Sequence, residues 1–372
     1  MSRRCERRIL GRNDNTALPV AGLCLMTARA VLPSGPMTQP SVGLILANRA
    51  VVLGKVTVRD LIDLSVEAEQ SGVFDTIWVG DSLLAKPRLE SVTLLSMLAG
   101  VTSRVRLGVG CMATFVHRHP VLLAHQWASL DVLSSGRAWL AACLGGPDQA
   151  SAAQALEHAA MSIQASERVG RLEEGVVILR KLFHEEKASH QGRFYRFEGV
   201  TIQPRPVQNP CPIWIASNPR ALTWKDGASA SDAVVERGYR RVARLADGWM
   251  TNKLSPDEFR REFERITTMA REEGRDPAKI GSALYHNINI NEDRQAALEE
   301  SKVFLDTYYS TKFSPAFVQA WTVAGSQKQC IAALQEYVAA GVGHMALRLS
   351  SWDQRGQLAR FLGEVAPALA GR

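Results

Sequence analysis

The sequence contains no uninterrupted apolar run of the roughly 18 residues that a membrane-spanning helix requires. Its six cysteines form no C-x-x-C pair, so their spacing indicates neither a zinc site nor a disulfide framework. Beyond the N-terminal segment, no stripe of basic residues is interleaved with aromatics, which argues against nucleic-acid binding. These absences predict a cytoplasmic protein in a reducing compartment, with neither a membrane nor a nucleic acid as partner.

The formal net charge of +7 is distributed unevenly over the 372 residues. Residues 1–36 carry six arginines against two acidic residues, so this segment supplies +4 and the rest of the chain only +3. Its weak apolar stretch, interrupted by proline and glycine, resembles a secretory signal only loosely. We expect residues 1–36 to be a disordered or mis-assigned extension and residues 37–372 to form one domain.

Strand-like and helix-like segments alternate along the chain, most clearly over residues 74–146. The predicted strands are 41–48, 76–79, 105–110, 138–144, 212–216, 248–251, 281–290 and 344–349. The predicted helices are 58–71, 91–100, 119–133, 167–183, 231–245, 256–273, 294–307, 328–340 and 354–365. Eight strands alternating with helices favour an α/β fold of the (βα)8 TIM-barrel type over an open doubly wound sheet.

Four segments interrupt this repeat. We interpret 145–165, 223–230 and 308–324 as insertions over one end of the barrel, and 192–206 as a β-hairpin outside it. The loops at the carboxyl ends of the strands form the site in TIM barrels. The insertions are therefore predicted to hold the substrate.

Several catalytic motifs are incomplete. No G-x-G-x-x-G follows the first strand, which disfavours a Rossmann domain. The run GDSL at 80–83 resembles a hydrolase nucleophile motif, but no D-x-x-H supplies the base, because neither His286 nor His344 has an aspartate three positions earlier. His117 and His119 are spaced like metal ligands, yet only His286 lies at another predicted strand end, so no metal is predicted.

Candidate site residues lie where the predicted strands end. They are Asn48, Asp81, Ser82, Cys111, Met112, His117, Gly145, Gly146, Ser217, Asn218, Asn252, His286 and Arg348. His117 and His286 are weak candidates for a proton donor, whereas His125 and His344 are expected to be structural.

Seven segments give the chain a resemblance to a known family. They are VGLILANR, FDTIWVGDSLLAKPRLE, RVRLGVG, HPVLLAHQWASLDVLSSGR, GRFYRFEGVTIQPRP, PIWIASNP and RLADGWMTN. Their order and spacing resemble the bacterial luciferase-like family of flavin- and deazaflavin-dependent oxidoreductases. The resemblance implies a (βα)8 barrel that binds FMN or coenzyme F420 at the carboxyl ends of its strands, and a homo-oligomer.

The resemblance implies cofactor contacts at three early strand ends. Gly110 and Cys111 match a bulge with a non-prolyl cis peptide behind the ring, although an ordinary strand end is the alternative. Asp81 matches an acidic position near the polar edge of the ring, but it could instead cap its own turn. Asn48 is a further candidate at the first strand end. Ser82 departs from the histidine that related deazaflavin-dependent sugar and alcohol dehydrogenases have after this aspartate.

The resemblance also implies a phosphate site at Ala216, Ser217 and Asn218. Exposed amides and a small hydroxyl at a strand end can form an anion-binding nest, although a plain turn before a proline is the alternative. The fourth strand lacks the glycine-rich turn that is frequent in the family, because Ala142 and Cys143 stand there.

On this resemblance we expect an enzyme, an FMN-dependent monooxygenase that acts on a small organic substrate and is served by a separate flavin reductase. An F420-dependent dehydrogenase or reductase, and a non-catalytic flavin-binding protein, are the alternatives.

Overall fold

The computed structural model describes residues 40–221 and 230–369. The segment predicted to be an N-terminal extension, 1–36, and most of the predicted insertion 223–230 lie outside these residues. The strands are β1 Ser41–Ile45, β2 Thr76–Val79, β3 Arg106–Met112, β4 Ala138–Ala142, β5 Ala188–Gln191, β6 Arg196–Val200, β7 Ile213–Ala216, β8 Gly248–Asn252, β9 Gly281–Ile290, β10 Thr322–Gly325 and β11 His344–Leu349.

The helices follow the strands in alternation. They are α1 Val58–Gln70, α2 Ser91–Ala99, α3 Pro120–Leu133, α4 Ala152–Ala160, α5 Arg168–His184, α6 Asp232–Leu245, α7 Pro256–Glu272, α8 Arg294–Tyr309, α9 Pro315–Ala320, α10 Gln327–Ala339, α11 Gln354–Arg360 and α12 Ala366–Leu369, with a π-helical turn, Phe361–Val365, between the last two. None of the described helices is long and apolar enough to cross a membrane.

Local sequence signals determine where the helices begin. The Thr57 side chain accepts a hydrogen bond from the Asp60 amide, and Asp60 in turn accepts from the Thr57 amide, so α1 begins with a capping box. Ser255 and Glu258 form the same pair at the start of α7. In α3 a proline occupies the first turn, where no backbone donor is needed.

Eight parallel strands close into a barrel. The order around it is β1, β2, β3, β4, β7, β8, β9 and β11, and β11 pairs with β1 to complete the ring. The prediction of a (βα)8 barrel is therefore confirmed. Three strands, β2, β9 and β11, have the bounds that the sequence predicts.

The structure corrects three of the segments outside the predicted repeat. Segment 145–165 contains a helix, α4, instead of an extended loop, and 308–324 contains α9 and most of β10. Because β9 is ten residues long, β8 pairs with its first half and β10 with its second half. The hairpin consists of β5 and β6, so its first strand precedes the predicted range 192–206.

Tryptophans fill the interior of the barrel. The rings of Trp78 and Trp139 are 5.0 Å apart, and those of Trp139 and Trp214 are 4.8 Å apart. Glycines on neighbouring strands make room for them, because a Cβ on Gly108 would lie 2.3 Å from the Trp78 ring and one on Gly248 2.3 Å from the Trp214 ring. The barrel is thus a packed core, and a ligand must bind at its mouth.

The Gly108→Ala variant tests this packing. We expect it to lose about 1–3 kcal/mol of unfolding free energy, because the new methyl group would overlap the Trp78 ring. Gly363→Ala is the matched control, since no described atom beyond its own turn of chain lies within 4 Å of a Cβ at that position. Urea unfolding measures both, and equal stabilities would contradict the close approach of Gly108 to Trp78.

His344 lies at the start of β11 and is structural, as its position at the far end of the barrel predicts. Its Nε2 accepts a hydrogen bond from Trp78 Nε1 at 2.8 Å, so this nitrogen is unprotonated. Burial lowers the pKa of His344 from 6.5 to about 4, while Asp75 raises it and Arg106 lowers it by smaller amounts.

This lowered pKa predicts acid sensitivity. Between about pH 6.5 and 4 the unfolded chain binds a proton at His344 that the folded chain excludes, so stability falls as the pH is lowered through this window. We expect His344→Gln to remove up to about 3 kcal/mol of that pH dependence in urea unfolding at a series of pH values. The exposed control His184→Gln should keep the wild-type slope. An unchanged slope in His344→Gln would show that other groups cause it.

Candidate functional site

Asn48 connects the carboxyl ends of β1 and β2. Its Nδ2 donates to the Gly80 carbonyl at 2.9 Å, and the Gly80 amide donates to its Oδ1 at 3.1 Å. The side chain is fully buried and both of its polar groups are used. Asn48 therefore shapes the rim, and its role in holding a cofactor stays a prediction.

Asp81 connects three segments of the rim. One carboxylate oxygen accepts from the Ser91 hydroxyl at 2.8 Å, and the other accepts from the Thr114 amide and hydroxyl, both at 2.7 Å. Arg118 lies 3.6 Å from the first oxygen. The carboxylate thus fixes the start of α2 and the segment after β3, a structural role broader than the capping of its own turn. A contact between Asp81 and a cofactor ring stays a prediction.

A bulge interrupts β3 where the resemblance implies one. The register with β4 shifts between Gly110 and Met112, and the Gly110–Cys111 peptide is cis. Cys111 is half-buried, and its Sγ lies 2.7 Å from Sγ of Cys143, the residue after β4. The contact with Cys111, together with burial, raises the pKa of the Cys143 thiol well above its usual value. Two thiols therefore stand at the mouth beside the bulge.

The end of β7 differs from the expected anion nest. The Ser217 amide donates to the Met250 carbonyl at 2.9 Å, and the Ser217 carbonyl accepts from Trp249 Nε1 at 2.7 Å. The Asn218 Nδ2 donates to Asn252 Oδ1 at 3.0 Å. Since the Ser217 amide is already bonded within the sheet, the phosphate prediction for Ala216–Asn218 now depends on the Ser217 hydroxyl and the groups that follow it.

His117 belongs to a buried polar cluster. Its Nδ1 lies 3.7 Å from Glu157 Oε1, its ring centroid lies 5.3 Å from that of His158, and neither ring nitrogen has a hydrogen-bond partner among the described residues. Burial lowers the pKa of His117, although Glu157 opposes this shift. His117 is therefore neutral near pH 7, and its assignment as a proton donor stays a prediction.

Glu157 attaches α4 to the loop between β2 and α2. Its Oε2 accepts hydrogen bonds from the amides of Leu83, Leu84 and Ala85 at 3.2, 2.6 and 2.8 Å. Sequence reasoning missed this contact because it predicted no helix here. The Ser-x-x-Gln pattern before α4 was the available signal, since Ser151 caps the Gln154 amide.

His286 does not face the mouth. Ala283 and Tyr285 contact the barrel interior, whereas His286 packs 5.3 Å from the Tyr337 ring of α10 on the outer side of β9. Burial lowers its pKa to about 3. The sequence-based placement of His286 at a strand end is corrected, because β9 continues for four residues beyond it. It lacks the geometry of a proton donor to a ligand.

Arg348 occupies the last inward position of β11. It is 1% exposed, its Nη1 donates to the Tyr309 hydroxyl at 2.7 Å, and its guanidinium lies 4.5 to 5.4 Å from the ring centroids of Tyr285, Tyr308 and Tyr309. Burial raises the pKa of Tyr309, and nearby Cys111 acts in the same direction. The sequence analysis predicted that Arg348 lies at a strand end on the rim. It missed the contacts with Tyr308 and Tyr309, because the predicted helix ended before these residues.

Comparison with known families decides the identity of this barrel. The model of the luciferase-like monooxygenase family matches residues 37–226 and 230–344. The chain belongs to the luciferase-like monooxygenase family. Membership confirms the predicted family resemblance and the expectation of an enzyme, an oxidoreductase of the flavin type.

Two curated proteins are similar in sequence to this luciferase-like chain. An F420-dependent glucose-6-phosphate dehydrogenase of Kineococcus radiotolerans is 24% identical over 340 residues, which covers 83% of this chain and 92% of the relative. The enzyme of the same description from Intrasporangium calvum is 25% identical over 332 residues, covering 84% and 95%.

Two solved structures share the fold of this luciferase-like chain. A monooxygenase from Streptomyces bottropensis has a TM-score of 0.71 at 22% identity, covering 89% of this chain and 99% of its own. An F420-dependent secondary alcohol dehydrogenase in complex with an F420-acetone adduct has a TM-score of 0.72 at 18% identity, with the same coverage.

The Glu157→Ala variant tests the attachment of α4 to the rim. We expect a loss of about 1–3 kcal/mol in urea unfolding, because three backbone amides lose their acceptor. Amide hydrogen exchange at residues 83–85 should accelerate in the same variant. Glu186→Ala, at an exposed position, is the control. If both variants unfold alike and exchange alike, Glu157 does not hold this loop.

Proposed function

We propose that the chain is an F420-dependent oxidoreductase that transfers a hydride between the deazaflavin and a small organic substrate. The curated relatives described above are F420-dependent dehydrogenases that align with more than four-fifths of this chain. In the structure, the observation that carries the proposal is the Arg348 guanidinium at the barrel mouth.

Arg348 has the chemistry to bind the acceptor-rich edge of a flavin-type ring. Its Nε is buried and has no hydrogen-bond partner in the part of the chain that the structure describes, and Arg offers donors in a fixed planar fork. Carbonyl and nitrogen acceptors line one edge of isoalloxazine and deazaflavin rings, and hydrogen bonds there tune the ring's electronics. The β3 bulge, with half-buried Cys111, offers a wall for the face of such a ring. The residues present therefore fit the cofactor.

Bound F420 would supply the hydride acceptor or donor, and the protein would supply position and environment. Arg348 would orient the polar edge of the ring, and Asp81 would hold the Thr114 segment that follows the bulge. Tyr285, Tyr309 and Trp321, which pack together at the mouth, would exclude water. Water exclusion strengthens the interaction of Arg348 with a polar ligand.

An FMN-dependent monooxygenase, the first expectation from the sequence, is the second candidate. The observation that favours it is Ser82, which stands where the resemblance implies a histidine in deazaflavin-dependent sugar and alcohol dehydrogenases. Ser82 Oγ accepts from the Lys86 amide at 3.0 Å and so stabilises its own loop. In that case a separate flavin reductase is the expected partner; homo-oligomerisation stays a prediction for either candidate.

Spectroscopic titration separates the two candidates. We expect the full chain to bind F420 with micromolar affinity and FMN at least tenfold more weakly, measured by quenching of cofactor fluorescence. Tight binding of FMN together with oxygen uptake by the FMNH2 complex would instead establish the monooxygenase. Binding of neither cofactor would overturn both candidates.

Ser217→Glu tests where the cofactor phosphate binds. We expect at least a tenfold loss of affinity for F420, because a carboxylate at the end of β7 would repel the phosphate. Affinity for the deazaflavin chromophore without phosphate should change much less. Ser129→Glu on α3 is the control for an added charge away from the mouth. Equal loss for both ligands would show that the phosphate lies elsewhere.

A further inference from the structure

Four cationic side chains surround two adjacent tyrosines at the mouth. We call them the mouth cation cluster; its members are Arg49, Lys86, Arg88 and Arg348. The guanidinium carbons of Arg348 and Arg88 lie 4.5 and 5.8 Å from the Tyr308 ring centroid, and Lys86 Nζ lies 5.0 Å from that of Tyr309. The Arg49 amide donates to the Tyr308 hydroxyl at 3.3 Å.

Among the described residues, the hydrogen bonds that these side chains donate all go to neutral acceptors. Arg49 donates to the Tyr308 carbonyl and the Ser310 hydroxyl, Arg88 to the Lys86 carbonyl and Arg348 to the Tyr309 hydroxyl. Within residues 40–221 and 230–369, no carboxylate forms an ion pair with any member of the cluster. Some arginines elsewhere on the barrel are paired with carboxylates, as Arg118 is with Glu90 and Arg220 with Glu262. Buried Arg137 donates to neutral oxygens instead, but all three of its guanidinium nitrogens are hydrogen-bonded.

This arrangement is costly without an anion. Arg348 and Arg49 are 1% and 5% exposed, and the Nε of each has no hydrogen-bond partner within residues 40–221 and 230–369. Burial lowers the pKa of both guanidinium groups, and the nearby charge of Arg88 lowers them further. The tyrosine rings offset part of this cost through cation–π contacts. They satisfy neither buried Nε donor and do not cancel the repulsion among the four charges.

We propose that the mouth cation cluster binds a carboxylate or phosphate group of a ligand at the barrel mouth. Arginine forks pair with such groups in a bidentate geometry, and several buried cations favour an anion with more than one negative oxygen. The anion comes either from the organic substrate or from the acidic tail of F420. The existence of the site is independent of the proposed function; only the choice between these two sources rests on it.

Inorganic phosphate is the probe for the site itself, titrated into the full chain without cofactor in a chloride buffer. We expect saturable binding by calorimetry, with at least a fivefold loss of affinity in Arg348→Gln and in Arg88→Gln. Arg88 is only half-buried, so its variant remains informative if Arg348→Gln does not fold. Arg355→Gln is the control, because Arg355 is exposed on α11 and forms an ion pair with Asp63 of α1. Undiminished binding in both cluster variants, or no saturable binding by wild type, would overturn the proposal.

A competition experiment then identifies the source of the anion. Fluorescence titrations with F420, and with its chromophore lacking phosphate and tail, are repeated at saturating phosphate. If phosphate weakens only the binding of F420, the cluster holds the cofactor's acidic portion. If phosphate changes neither affinity, the cluster holds a substrate anion. Loss of both affinities would mean that phosphate and the ring compete for Arg348, so that the cluster binds no anion beside a bound ring, and would overturn the proposal. Since phosphate binding is measured without cofactor, failure of F420 to bind would refute the proposed function alone.

Discussion

The pairing of β11 with β1 is the constraint on which the rest of the structure depends. It closes the sheet into a ring. Because all strands of the ring are parallel, their carboxyl ends lie on one face of the barrel. Closure also creates an interior that must be filled, and three tryptophans fill it, two of which, Trp78 and Trp214, lie against glycines. A ligand is consequently restricted to the mouth, where the eight strands of the ring end.

Many of the polar side chains at this mouth form hydrogen bonds within the protein that hold the rim loops in place. Asn48 bonds the backbone at Gly80, Asp81 bonds Ser91 and Thr114, and Glu157 bonds three consecutive amides of one loop. Buried polar groups need partners, and these groups find them within the protein. Among the described residues at the mouth, the Nε groups of Arg49 and Arg348 and both ring nitrogens of His117 have no hydrogen-bond partner. The two buried guanidinium groups are the reason why an electron-rich or anionic ligand fits the site.

The architecture was predictable because it depends on local periodicity. Apolar runs of strand length alternating with amphipathic helices require a parallel sheet, and a chain with eight such runs closes into a barrel. The bulge at Gly110 and Cys111 was expected from resemblance to relatives, and it occurs at those positions. Helix α4 was missed because its short, alanine-rich sequence was interpreted as a loop of small and polar residues, and the contact that stabilises it comes from a distant loop.

The side-chain assignments at the rim show where sequence reasoning stopped. His286 was placed at the mouth although the predicted strand, 281–290, continues beyond it, and in the structure its side chain faces α10. Ser217 was expected to offer its amide to an anion, but that amide pairs with β8. In both cases the outcome depends on register between strands, which a single sequence does not specify.

The sequence by itself determined the parallel barrel and its family, and it supplied the strand ends proposed for the site, since these follow from local pattern and motif order. Only the tertiary structure decided which of those side chains are hydrogen-bonded to neighbouring protein groups and which can bind a ligand. It joined Arg49, Lys86, Arg88 and Arg348 around Tyr308 and Tyr309, although these residues are separated by up to about three hundred positions in the chain. Charge balance in a buried site depends on distances in space, and those distances exist only once the ring has closed.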